Sequence, residues 1–123
     1  MTHPVQQPRF RPSRLPEGIV LVEWAPRIRF TDEDAAAVMS YVRGLDARPL
    51  PMLVRPQGML TISRGALDAF AGTRWVSAMA VTGRSLIDGF LLGIYHEVYR
   101  PRFPVRHFDE ESRAIRWLRA QDR

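Results

Sequence analysis

A chain of 123 residues, 46% of them apolar, is one domain's worth and can bury roughly two thirds of its unfolded surface, so it needs no covalent staples. It has no cysteine, which excludes a disulfide framework and thiolate metal sites; no apolar run reaches the length of a membrane helix, and the start lacks the apolar centre of a secretory signal, so a cytoplasmic location is expected. The net charge of +5 comes from arginine alone; three arginines lie in residues 1–16, and from Glu17 onward 15 face 13 acids, too even a balance for a nucleic-acid footprint.

Residues 1–16 carry Pro4, Pro8, Pro12 and Pro16 between polar residues and read as a disordered or extended arm; residues 17–123 form the domain. "GIVLVEW" (18–24) is a buried strand, and "RIRF" (27–30) a shorter, half-exposed one, with Ala25-Pro26 positioned for a tight antiparallel turn between them. Thr31 and Asp34 have the spacing of a capping box. Ala35, Val38, Met39, Val42 and Leu45 then recur at helical spacing up to a closing Gly44.

"PLPMLVRP" (49–56) is a strand fenced by prolines, followed by a short helix from about Ser63 to Ala71. "WVSAMAVTG" (75–83) is uncharged on both faces and belongs in the middle of a covered sheet. "RSLIDGFLLGIYHEVYR" (84–100) is the longest predicted helix, with Ser85 and Asp88 repeating the capping pattern and Pro101 ending it. "FPVRHF" (103–108) is the last strand, and Asp109 is the expected cap of a final helix anchored by Trp117 and Leu118. Alternating strands and helices predict an α/β fold: a mixed, mostly parallel sheet of about five strands flanked by four helices.

This order, with "LVRPQGMLTISRGAL", "VSAMAVTGRS" and "FPVRHFDEESRAIRWL", resembles the STAS-like domains, the sulphate-transporter and anti-sigma-factor-antagonist class with the SpoIIAA-like fold. It is similar in particular to small bacterial STAS/SEC14-like proteins, over about residues 17–120. In the antagonists a strand leads to Asp-Ser-Ser-Gly-Leu at a helix start, whose first serine accepts phosphate from a kinase. Here the tetrad is Ile62-Ser63-Arg64-Gly65: Ser63 matches the acceptor and Gly65 the glycine, while Ile62 replaces the aspartate and Arg64 the second serine. The resemblance implies a regulatory, non-catalytic module that docks a protein partner.

The residues offer plainer roles beside that one. The Ser63 hydroxyl is suited to cap its helix, a contribution of about 1 kcal/mol. A phosphate at the same helix start would meet the positive dipole end. No G-x-S-x-G elbow surrounds Ser63, and nothing nominates a base for it, so no enzyme is expected. "TGRS" (82–85) is an ordinary turn and cap, or an anion cradle in which Gly83, Arg84 and Ser85 join Arg55 and Ser63 beyond the carboxyl ends of the strands.

Ser85, Gly89 and Gly93 recur every four residues, a seam for tight packing or for a homodimer, with Tyr95, His96 and Tyr99 at its rim. His3, His96 and His107 have no ligand-spaced neighbours, so neither a metal nor another cofactor is expected. Two alternative functions stand beside the docking module. One is a small-ligand binder, for an anion or an amphipathic metabolite at the strand ends. The other is a weak nucleic-acid binder using the N-terminal arm together with Arg100, Arg102, Arg106, Arg113, Arg116 and Arg119.

Overall fold

The computed structural model describes residues 9–83, 95 and 97–121. Seven strands and three complete helices follow in the order β1 (Phe10–Arg14), β2 (Val20–Trp24), β3 (Arg29–Phe30), α1 (Asp32–Arg43), β4 (Leu50–Arg55), β5 (Thr61–Ile62), α2 (Arg64–Gly72), β6 (Val76–Thr82), β7 (Val105–Phe108) and α3 (Glu111–Gln121). Tyr95 and residues 97–99 are also helical. The main sheet has the order β1-β2-β4-β6-β7, parallel from β2 to β7 and antiparallel only at β1. The expected mixed, mostly parallel five-stranded sheet is therefore the observed one.

Its antiparallel pair is not the predicted hairpin. β2 pairs with β1, from Phe10 opposite Trp24 to Arg14 opposite Val20, so the proline-rich arm becomes an edge strand from Phe10 onward. The connection is a turn at 15–19, where the Gly18 amide donates to Leu15 O at 2.9 Å and Gly18 takes φ +82°, a conformation that favours glycine. Pro12 fits because an edge strand leaves alternate amides without a sheet partner. "RIRF" instead crosses to β5, pairing Arg29 with Thr61 and Phe30 with Ile62 in a small parallel sheet of its own. Ala25-Pro26 therefore carries the chain out of the main sheet rather than turning it back.

Alternation along each strand divides the interior in two. Val20, Val22, Trp24, Met52 and Met79 face one side with α1, α2 and Tyr95, while Leu21, Leu53, Ala78 and Ala80 face the other with Ala114 and Leu118 of α3. α1 starts as its sequence predicts: Thr31 Oγ1 accepts from the Asp34 amide at 3.3 Å, and the Thr31 amide donates to Asp34 Oδ2 at 2.9 Å. Arg9 donates to Asp34 Oδ1 at 2.7 Å and to Arg29 O at 2.6 Å, which ties the start of the edge strand to this cap. Burial alone would raise the Asp34 pKa; the bonds from Arg9 and Thr31 outweigh it and hold the carboxyl below its ordinary value. At α3 the Ala114 amide bonds Glu110 O at 3.2 Å, which makes Glu110 the residue before the first turn; Asp109 forms an exposed ion pair with Arg113 at 3.8 Å.

Candidate functional site

Ser63 is the N-cap of α2. Its backbone is extended (φ −72°, ψ 155°), and its Oγ accepts from the Ala66 amide at 3.1 Å. The same hydroxyl donates to Asp32 Oδ1, which links the starts of α1 and α2. Asp32 lies over Gly65, where an added Cβ would overlap the carboxylate. Any larger residue at Gly65 would have to push the exposed Asp32 carboxylate aside, and with it the bond to Ser63. A phosphoryl group on Ser63 would displace this bond and face the Asp32 charge.

Arg55 does not join Ser63. Its Nε and Nη2 donate to the two oxygens of Glu111 at 2.6 and 2.7 Å, and its Nη1 donates to Glu23 Oε2 at 3.0 Å. Desolvation lowers the Arg55 pKa; the two carboxylates more than offset this, and the guanidinium stays charged and paired. Glu111 opens α3, which packs on the sheet face opposite α2, so the sheet itself separates Arg55 from Ser63. The guanidinium proposed for an anion is instead the clamp that seats α3.

The Gly83 amide is also engaged, donating to Phe108 O at 3.1 Å. Arg84, Ser85, Gly89, Gly93 and His96, and with them the helical seam and the second capping pair, lie outside the described residues. Tyr95 stacks on Tyr99 with centroids 5.9 Å apart, but Tyr95 is a core residue, not an interface rim: it is 6% exposed.

On the α1/α2 side of the sheet lies a cavity of about 150 Å³. Trp24, Met52 and Met79 form its floor, and Phe70 and Leu67 of α2 one wall. The opposite wall is the segment from Pro56 to Ile62, where Gln57 (φ 56°) and Gly58 (φ 70°) turn the chain back over the sheet. Leu60, 46% exposed, stands at the mouth. Among the described residues no lining side chain is charged. Thr61 is exposed at the rim, and Tyr95 reaches in from the helical segment.

The Tyr95 hydroxyl is buried and has no hydrogen-bond partner among the described residues. Burial first, and then the carboxylate of Asp68, raises its pKa well above the ordinary phenol range, so it is a neutral donor at any physiological pH. This pocket was not apparent in the sequence. Its floor is the apolar periodicity that already marks a core, and nothing local distinguishes a filled core from one with a void. The nearest signal was "RPQGM", a turn between two apolar segments that folds the chain over the sheet.

No group of three or more His, Asp or Glu side chains suited to a metal occurs among the described residues, and no described helix is long and apolar enough to cross a membrane. The fold places the protein in a known class. The crystal structure of an uncharacterized protein of the DUF3478 family with a SpoIIAA-like fold, from Shewanella loihica PV-4, superposes with a TM-score of 0.63 at 12% identity, covering 96% of this chain and 98% of that one. The STAS-like resemblance is thereby shown at the level of fold. The sequence profile of the domain of unknown function DUF7793 matches residues 13–121, and the chain belongs to that family. No curated protein sequence matches it.

Proposed function

We propose that this SpoIIAA-like domain is a non-catalytic binding protein whose ligand is a small, largely apolar molecule held between the sheet and the 56–62 segment. Of the functions considered from the sequence, the small-ligand reading gains most support, and in its amphipathic rather than its anionic form. The observation that carries it is the open cavity of about 150 Å³, a size at which apolar protein cavities take up benzene. Anion capture loses its main residue, because Arg55 is already paired with two carboxylates. Catalysis finds little support among the described pocket residues, of which Tyr95 is the sole titratable one.

The regulatory reading attaches to the same place. Ile62 lines the cavity and Ser63, the next residue, caps α2 beside Asp32. A partner that docked over the two helix starts would sense occupancy through a one-residue connection. The docking surface would then be Ser63 and Asp32.

The test is a thermal-shift and tryptophan-fluorescence titration of the intact chain with toluene and indole. A saturable rise of several degrees with a change in Trp24 emission is expected. No shift with either probe up to its solubility limit would sink the pocket reading.

A further inference from the structure

Cysteine is absent from this chain, so methionine thioethers are its only sulfur. Three of them border the cavity. Met52 and Met79 are register partners on β4 and β6 and form the floor, 0% and 7% exposed. Met59 stands in the opposite wall and is only half-buried, directly after Gly58 turns the chain back over the sheet. Leucine would line that wall equally well, since the two side chains exchange at little cost; what methionine adds is an oxidisable sulfur. We propose that Met59 is a reversible oxidation site, through which a hydroperoxide lowers the affinity of the cavity for its apolar ligand. This rests on the pocket reading above and adds its regulation.

The step is a two-electron oxidation of the thioether. The Met59 sulfur attacks one oxygen of hydrogen peroxide, the O–O bond breaks and an S–O bond forms. The proton of the transferred oxygen goes to the departing hydroxide, which leaves as water. The product, methionine sulfoxide, is polar and carries a hydrogen-bond acceptor in place of an apolar surface. Pro56, Leu60 and Ile62 share its wall and have no side-chain donor to offer. Solvent at the mouth is the better partner, because a polar group held among apolar ones without a bond is costly. The oxidised side chain therefore turns outward, and the cavity loses part of the wall that would cover an apolar ligand. Met52 and Met79, beneath the cavity and almost sealed from water, keep their thioethers while the fold persists.

Met39 supplies the control. It is half-buried on α1 and packs on the same core without lining the cavity. The intact chain, Met59→Leu and Met39→Leu are treated with graded hydrogen peroxide. Peptide mass mapping locates each sulfoxide, and toluene affinity is read by fluorescence against each protein's own untreated value. In the wild type, sulfoxide should form at Met59 before Met52 and Met79. Affinity should fall about fivefold or more in step with it, the worth of one unsatisfied polar group. Met39→Leu should lose affinity in the same way, and Met59→Leu should keep its own. A methionine sulfoxide reductase supplied with a dithiol, which removes the oxygen as water, should restore the wild type.

Sulfoxide at the floor methionines before Met59, undiminished affinity once Met59 is oxidised, a loss that the reductase does not reverse, or equal losses in wild type and Met59→Leu would each overturn the switch and leave the cavity standing. Failure of toluene to bind the untreated wild-type chain would remove the cavity as a site, and the switch with it.

Discussion

On one face of the main sheet, Ala78 and Ala80 lie beneath Ala114 and Leu118 of α3, all four at most 1% exposed. On the other, Trp24, Met52, Met79 and Phe70 meet around a void. The first contact is made of small residues that allow a helix to come close, and it is tied at its end by the fork of Arg55 on Glu111 and by Glu23. The second is made of large, irregular and partly flexible side chains. The same strands supply both faces through alternate residues, so a permanent contact and an adaptable one share a single backbone.

The comparison can be broken most severely on the closed side. Leu118→Ala should cost about 2–5 kcal/mol in urea unfolding, because removing a fully buried side chain leaves a hole in a cluster that relaxes only partly. A result near zero would mean that α3 is loosely held and that the contrast between the faces is false.

A sharper test enlarges a residue on each side. Ala80→Leu should destabilise by about 1–3 kcal/mol through overpacking. Val54→Leu, which points its extra carbon into the cavity, should stay within about 1 kcal/mol of wild type and weaken toluene binding. Equal costs at the two positions would show that the cavity closes in solution.

The smallest expected effect concerns the cap of α1. The folded-state pKa of Asp34 lies below that of the unfolded chain, so its stabilising contribution is present above about pH 4 and is lost as the pH falls through the lower, folded value. Wild-type stability should therefore drop on acidification below about pH 4, and Asp34→Asn should show a shallower drop over the same range. Identical acid profiles would mean that the Arg9–Asp34 contact does not persist in solution.

What could be read from the chain beforehand follows the range of the interactions involved. The caps at Thr31 and Ser63 are contacts over three residues, and their spacing alone discloses them. The central strands declare themselves because both faces are apolar. β1 did not, since "FRPSR" has the composition of an arm and becomes a strand only when Gly18 turns it onto β2. Arg55 was legible as a charge near the strand ends, yet its partners lie 32 and 56 residues away, and the face toward which it points is decided by where α3 packs. The cavity depends on the fit of side chains from β2, α1, β4, β5, α2 and β6 with those of the 56–60 loop and Tyr95, and local pattern carries no information about that fit.

The pairing of Phe10–Arg14 with Val20–Trp24 has a wider meaning for the whole molecule. β2 is apolar on both sides and, stripped of that cover, would present a flat row of free amides and carbonyls to any other chain. The proline and arginines of β1 make a poor template for further growth, so a short segment that looks dispensable covers an edge that would otherwise be open to pairing with another chain.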